Sequence, residues 1–538
     1  MSDTRFKLRF VAALCGVLIM VAPFAQSATP AQARPAPETA PFDVMEYQVA
    51  GNTLLDALTI ERAVYPHLGE GKGLPAVEQA RASLEKTYHD AGYLTVMVDI
   101  PEQKVQGGVV QLRITESRIE KVRVTGARYY SQGRIREQVP GLAQDSIPNF
   151  NEVQQQFGRL ARTPDRLVTP VLRPGKTPGK LEVELKVQDK LPLHGSLELN
   201  DRYSANTTHT RLNGMLRYDN LWQREHSLAV NFQIAPENTD DAQVLSATYV
   251  FPDSSGWLYA GYAVRSRSKV AAAGDINVLG DADLYGLRAI IPLASSPEAV
   301  HTLSLGADYK DLQEAILFGS DTLSTPISYA PFTVQYSATQ REAKSTTQYG
   351  LSANFSIRGL ADENIDCGGG DIQNEFTCKR FGAKPDYFFL RGNINRTQQL
   401  PGKTSLVAAA NAQLSGQPLI SSEQFSAGGV DSVRGYLESE ALGDSALRAA
   451  LELHGPSFAA GHFSDLHLLA FVDGATLRVQ EALPGQENSY TLAAAGVGVR
   501  ARMNRFLLGA LDLAQPLRDG TTTEQGDTRL HFRLTSEF

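Results

Sequence analysis

Two cysteines, Cys367 and Cys378, bracket the segment GGGDIQNEFT, and neither a histidine nor a second cysteine pair lies beside them. Thiols so placed suit a local disulfide better than zinc, which takes four nitrogen, sulfur or oxygen ligands. His454, His462 and His467 are close along the chain, yet their spacing does not put them on one face of a strand, so they read as luminal or turn histidines and no metal site is expected. Gly496-Val497-Gly498-Val499-Arg500-Ala501 fits a loose dinucleotide pattern but sits inside an alternating run, without the strand-turn-helix context that gives such a pattern meaning. Gly69-Glu70-Gly71-Lys72-Gly73 lacks the Lys-Ser/Thr of a phosphate loop, and no Gly-x-Ser-x-Gly elbow occurs. The expectation is no catalytic residue, no cofactor and no enzyme.

The elements around these residues begin with a leader. Arg5, Lys7 and Arg9 precede the apolar run Phe10 to Phe24, and Ala25, Ser27, Ala28, Ala31 and Ala33 follow, the pattern of a secretory signal peptide. The run is about 15 residues where a spanning helix needs roughly 20. Cleavage fits after Ala28 or after Ala33; residues 1–33 are taken as the signal and 34–41 as a short linker, whose Pro35 and Pro37 disfavour a plugging helix. Cys15 leaves with the signal, because Leu14 occupies the place where a lipoprotein anchor needs a small residue. The remaining cysteine pair lies in a chain that has left the reducing cytosol.

Composition narrows the class further. The net charge is -8, with no basic excess of the kind nucleic-acid binding needs. Mean hydropathy is -0.22, and no later segment approaches the roughly 18 apolar residues of a membrane helix.

Two periods divide the mature chain near Lys190. Residues 42–116 and 117–189 read as tandem β-α-α-β-β units. In the first, Val77, Ala80, Ala82, Leu84 and Tyr88 recur at roughly helical spacing, Gly92 stops that helix, and YLTVMVDI and GVVQLRIT follow as strands. In the second, Val124-Thr125-Gly126 echoes Val49-Ala50-Gly51 and LEVELKV matches VVQLRIT. From 190 to 538 strict alternation replaces the helical period: Leu228, Val230, Phe232 and Ile234 against Ala229, Asn231 and Gln233; Leu351, Ala353 and Phe355 against Ser352, Asn354 and Ser356; Leu530, Phe532 and Leu534 against Arg529, His531 and Arg533. Strands of this kind could build a soluble sandwich, but so many, with aromatics at their ends (Tyr249, Phe251, Trp257, Tyr259, Tyr387, Phe388) and a terminal Phe538, match an all-β transmembrane antiparallel barrel of about 16 strands.

The leader, the two small units, the barrel, and Gly428-Gly429-Val430-Asp431-Ser432-Val433-Arg434-Gly435-Tyr436 together resemble the transporters of two-partner secretion, the haemolysin-activator and adhesin-exporter family (ShlB/FhaC/HecB-like), itself related to the BamA barrel superfamily. The small units then resemble POTRA domains. Val433-Arg434-Gly435-Tyr436 resembles the signature of a loop, here around 420–444, that folds back into the barrel. Phe471-Val472-Asp473-Gly474-Ala475 is similar to the family's Phe-x-Asp-x-Gly wall motif, with alanine in the usual glycine place.

The resemblance implies export of an unfolded cognate exoprotein (haemolysin, adhesin or toxin) from periplasm to cell surface without nucleotide. It also implies a monomer in the bacterial outer membrane, in contact with its lipid, served by the barrel-assembly machinery during biogenesis and in no contact with nucleic acid. The alternatives are an assembly or insertion factor of the related superfamily, a porin, or a surface enzyme. Arg434 is expected to pair with Asp473 for about 1 kcal/mol in a water-filled lumen, with Tyr436 packed near Phe471. Docking is assigned to the helix residues Val77, Leu84 and Tyr88 and the edge residues Tyr93, Leu94, Val96 and Val98, by strand addition. The disulfide loop is expected outside the barrel wall.

Overall fold

The computed structural model describes residues 41–538 apart from 162, 269–270, 274–275, 279, 297, 314, 319–320, 325, 368–369, 371 and 505. The expected signal segment lies outside them. The described chain forms two compact units, residues up to 118 with 147–150, and the remainder.

In the first unit β1 (Glu46–Ala50), α1 (Ala57–Val64), α2 (Gly73–Asp90), β2 (Val96–Asp99) and β3 (Val109–Glu116) follow in order. The sheet runs β1-β3-β2, with β3 central. Asp56 starts α1 by accepting the Thr59 N–H at 2.7 Å, which satisfies a donor that the first helical turn leaves unpaired. Gly92, at φ 97°, lets the chain turn out of α2.

The second sheet is built from β4 (Arg118–Thr125), α3 (Gln132–Glu137), α4 (Phe150–Leu160), β5 (Arg166–Pro174) and β6 (Lys180–Asp189), again with the last strand central. The repeat is visible in backbone detail. Gly51 and Gly126 both have positive φ, and a Cβ on either would sit 2.3 Å from a carbonyl oxygen of the central strand, that of Ile114 or Val187. Only glycine fits a left-handed bend pressed so closely on a neighbouring strand.

The rest of the chain is a closed antiparallel barrel of sixteen strands. The first eight are β7 (Leu193–Asn200), β8 (Arg211–Leu221), β9 (His226–Ile234), β10 (Ala242–Pro252), β11 (Leu258–Ser268), β12 (Asp281–Pro292), β13 (Ala299–Gln313) and β14 (Pro331–Glu342). Then come β15 (Ser345–Ser356), β16 (Phe388–Leu400), β17 (Thr404–Ser415), β18 (Ser445–His454), β19 (Phe463–Arg478), β20 (Ser489–Arg502), β21 (Leu507–Pro516) and β22 (Arg529–Glu537). Closure joins β22 to β7 over Arg533↔Asn200 to Glu537↔Ser196, and Phe538 exchanges two backbone bonds with Gly195. This seam is the shortest ladder between neighbouring wall strands.

Alternation decides which face meets what. Leu216, Leu287, Leu351, Leu414, Val472 and Val497 point outward and are each more than half exposed, an apolar band of the kind that lipid covers. Their neighbours Gln413, Asp473, Asp512 and His531 point inward and are buried. Tyr249, Phe251, Trp257 and Tyr259 stack in one cluster at the barrel end that carries the second small sheet. Tyr387 departs from the expected girdle: it is 2% exposed, packed inside the opposite end. Long connections leave that opposite end, and short turns such as 222–225 close the near one.

Candidate functional site

The connection between β17 and β18 folds back into the barrel. A small hairpin, Phe425–Ala427 against Ala441–Gly443, carries it inward, and residues 428–440 form its tip. Gly428 has φ 106°, and a Cβ there would lie 2.5 Å from the Leu437 carbonyl oxygen, so the tip can close only around glycine.

At the tip, Arg434 meets the wall. Its Nε donates to Asp473 Oδ2 at 2.7 Å and its Nη2 to Asp473 Oδ1 at 2.9 Å, a two-point grip that its planar fork allows. The Arg434 backbone N–H adds a bond to Oδ2 at 3.2 Å. Glu452 Oε1 takes Nη2 from the side at 2.7 Å. Phe471 lies under the guanidinium, 3.4 Å from ring centroid to Cζ. Phe471 and Asp473 share the inward face of β19 because they are two residues apart, and Glu452 stands opposite Phe471 in register on β18.

Burial here exceeds the expectation. Arg434 is 4% exposed and the Asp473 carboxylate is fully buried, so the pair is not the exposed kind worth about 1 kcal/mol. Removing one partner of a buried pair costs about 3–5 kcal/mol, because the other charge is left without compensation. Tyr436 is likewise not beside Phe471. Its hydroxyl reaches the Arg518 and Ala493 carbonyl oxygens at 2.7 and 3.0 Å, while Val433 and Tyr436 fill a pocket with Leu477, Leu492 and Ala494.

Several partners were not visible in the sequence. The Gly435 N–H donates to His531 Nε2 at 3.0 Å, so Nδ1 carries the ring proton and gives it to Asp201 Oδ2 at 2.9 Å. Arg448 holds the Ser432 carbonyl oxygen at 2.8 Å through Nη2. Glu440 accepts the Thr522 and Thr523 N–H groups at 2.6 and 2.8 Å, clasping the last long connection. Burial pushes the Glu438 carboxyl up to about 7 against the pull of Arg202. His454 and His467, on neighbouring strands, bring ring nitrogens within 3.3 Å of each other, and each also bonds a carboxylate.

Cys367 and Cys378 are joined, with Cα atoms 5.4 Å apart. Their loop does not stand clear of the wall as expected. It turns a short helix, α5 (Glu375–Lys379), into the lumen, and Phe376 is 1% exposed there. Of its two large apolar side chains, Phe376 is buried there while Ile372 stays 71% exposed.

The docking residues also require correction. Val77, Leu84, Tyr88, Val96 and Val98 are 0–2% exposed in the core of the first unit, so none can present a side chain to a partner. Tyr93 is partly buried against the same core, and only Leu94, 54% exposed, is free. Helical spacing marked the face that α2 buries on its own sheet. The outer edge of β2 carries two side chains of α2: Glu85 accepts the Val98 N–H at 3.2 Å and His89 lies 3.2 Å from the Val96 carbonyl oxygen.

Comparisons with known proteins agree with this architecture. Residues 179–501 match the family described as haemolysin secretion/activation protein ShlB/FhaC/HecB, and residues 42–117 match the POTRA domain of ShlB type. An outer membrane transporter CdiB of Dickeya dadantii is 24% identical over 472 residues, covering 86% of this chain and 81% of its own. A second, from Escherichia coli O6:K15:H31, is 22% identical over 513 residues, covering 88% and 80%. Among solved structures, CdiB from Escherichia coli superposes with a TM-score of 0.65 at 18% identity over 95% of this chain and 93% of that one. BamA from Haemophilus ducreyi lacking POTRA domains 1-3 gives 0.56 at 14% identity over 92% and 100%. These two likenesses concern the fold. The family is non-enzymatic, resides in the outer membrane with its POTRA domains in the periplasm, and secretes partner exoproteins. With the family match spanning more than half of its length and the clamped inward loop in place, this chain belongs to the haemolysin secretion/activation (ShlB/FhaC/HecB) family of outer-membrane transporters.

Proposed function

We propose that the protein exports one cognate exoprotein, of haemolysin, adhesin or contact-dependent toxin type, as an unfolded chain and without nucleotide. The observation that carries this reading is the buried clamp of Arg434 on Asp473, Glu452 and Phe471, which fixes a loop inside the polar lumen of a barrel that follows two small α+β units. An extended chain has unpaired backbone groups, and a lumen lined by inward polar residues can satisfy them during passage. The periplasm offers no ATP, so capture and release must rest on binding alone. Docking is assigned to the main chain of β2 with Leu94 and Met97 beside it, both exposed. Strand addition there requires Glu85 and His89 to leave the edge they cover.

The test is secretion of the exoprotein encoded beside this transporter in a strain lacking the transporter. Full-length protein restores export. Deletion of residues 42–116 abolishes it, while the barrel keeps its heat-modifiable gel mobility. Secretion at the full-length level by the deletion variant refutes docking on the first unit.

A further inference from the structure

The lumen has a second inward-folded element at its surface end, and it is tied to the first. Phe376 of α5 packs edge-on against Tyr329, ring centroids 5.3 Å apart, and beside Tyr387 at 6.1 Å. Val264 and Leu284 from the barrel wall and Leu419 and Ile420 from the inward loop complete one buried cluster, none of them more than 4% exposed. Interiors packed in this way hold few voids larger than a water molecule, so a polypeptide cannot thread the cluster itself.

Arg380 follows α5 directly, two residues beyond Cys378. Its Nη1 and Nη2 grip Asp444 Oδ1 and Oδ2 at 2.5 and 2.7 Å, and the same guanidinium bonds the carbonyl oxygens of Leu419 and Gln480. Asp444 stands at the foot of the inward loop, one residue before β18, with its carboxylate fully buried. It also accepts the Leu419 N–H at 2.8 Å, the Gln480 N–H at 2.7 Å and the Gln424 side-chain amide at 3.2 Å. One carboxylate therefore collects donors from the residue that follows α5, from the descending limb of the inward loop and from the connection after β19.

We propose that Arg380 and Asp444 are positioning residues that latch α5 to the foot of the inward loop at the outer mouth, with Phe376 as the wedge that closes it, and that an exoprotein leaves only after this latch opens. The inference stands on the geometry of the mouth and does not depend on where the exoprotein docks. Since Asp444 also holds Leu419, opening the latch frees the foot of the inward loop while the Arg434 clamp at its tip stays in place.

Full-length protein in planar lipid bilayers with potassium chloride tests this without any partner. Arg380→Ala should raise the fraction of time spent open at least tenfold over wild type, and Arg380→Lys, which keeps the charge without the fork, should give an intermediate value. Phe376→Ala leaves the latch intact and removes the wedge, so it should raise conductance by itself. Cys367→Ser with Cys378→Ser should raise the open fraction less than Arg380→Ala, because the latch survives it. Wild-type conductance in both Arg380→Ala and Phe376→Ala overturns the proposal. If Arg380→Ala does not assemble, Phe376→Ala alone decides, and wild-type conductance in it overturns the proposal equally.

Discussion

Truncating either side of the Arg434 clamp should have unequal consequences, because the guanidinium has two carboxylate partners and Asp473 has one guanidinium. Arg434→Ala leaves Asp473, fully buried, and Glu452 facing each other with no cation between them except the neighbouring Arg448. The full cost of breaking a buried pair applies, about 3–5 kcal/mol. At about 1.4 kcal/mol per factor of ten, the ratio of docked to undocked loop falls by roughly one hundred to several thousand. Asp473→Ala removes three hydrogen bonds, two from the guanidinium and one from the Arg434 backbone N–H, but leaves Glu452 at 2.7 Å and the Phe471 ring in place. About 2–3 kcal/mol is expected. Arg434→Lys keeps the charge and loses the fork and the planar stack, for about 1–2 kcal/mol. Exchange of the charges, Arg434→Asp with Asp473→Arg, should not restore export, because Glu452 would then face a second carboxylate. Secreted exoprotein, heat-modifiable mobility and protease cleavage within residues 428–440 measure function, assembly and loop docking separately. The expected order of damage is Arg434→Ala, then Asp473→Ala, then Arg434→Lys, with the barrel assembled in all three. Asp473→Ala more harmful than Arg434→Ala would refute the shared-partner reasoning, and wild-type secretion by both alanine variants would refute a role for the clamp in export.

Gly496→Ala should disturb the clamp from behind, since its Cβ would fall 2.3 Å from the Phe471 ring and 2.3 Å from the Leu513 carbonyl oxygen. A loss of about 1–3 kcal/mol is expected in the unfolding free energy read from urea titration, whereas Gly509→Ala, with nothing within 4 Å, should be neutral. The surface loop should loosen with alkalinity. Burial, aided by Asp362 and Glu363, pushes the Glu375 carboxyl up to about 7 from an ordinary 4.5. A raised carboxyl gives stability that is fully present below about 4.5 and is lost as pH rises through about 7. Amide exchange in residues 372–381 should therefore show more protection at pH 5 than at pH 8 once intrinsic rates are removed. Glu375→Gln should flatten that difference, and an unchanged slope in this variant would assign the effect to another group.

The barrel was legible because its signal is repeated. Each wall strand meets lipid on one side and a polar lumen on the other, so Leu228, Val230 and Phe232 had to alternate with polar or small neighbours. The two small units were legible through Gly51 and Gly126, whose close approach to a central strand admits no side chain. Periodicity failed at Val77, Leu84 and Tyr88, because an apolar stripe on a helix looks the same whether a partner or its own sheet covers it. The clamp was half legible. Arg434, Phe471 and Asp473 stood in recognisable motifs, but Glu452 joins them only through the register of β18 on β19, and His531 meets Asp201 only because the barrel closes over 330 residues of chain. Arg380 and Asp444 belonged to no pattern, since their meeting depends on which way two loops fold.

The seam between β7 and β22 sets the order in which this protein can be made. Every other wall ladder joins strands that are consecutive along the barrel sequence, but this one pairs residues as far apart as Ser196 and Glu537, 341 positions along the chain. Loop-closure entropy rises by about 0.6 kcal/mol with each doubling of the loop, so local hairpins form at far lower entropic cost than the seam. The seam's own register spans only Asn200 to Ser196, extended by the two backbone bonds between Phe538 and Gly195. Asp201 and His531, held together only across that seam, can complete their half of the inward-loop anchor only once the barrel closes.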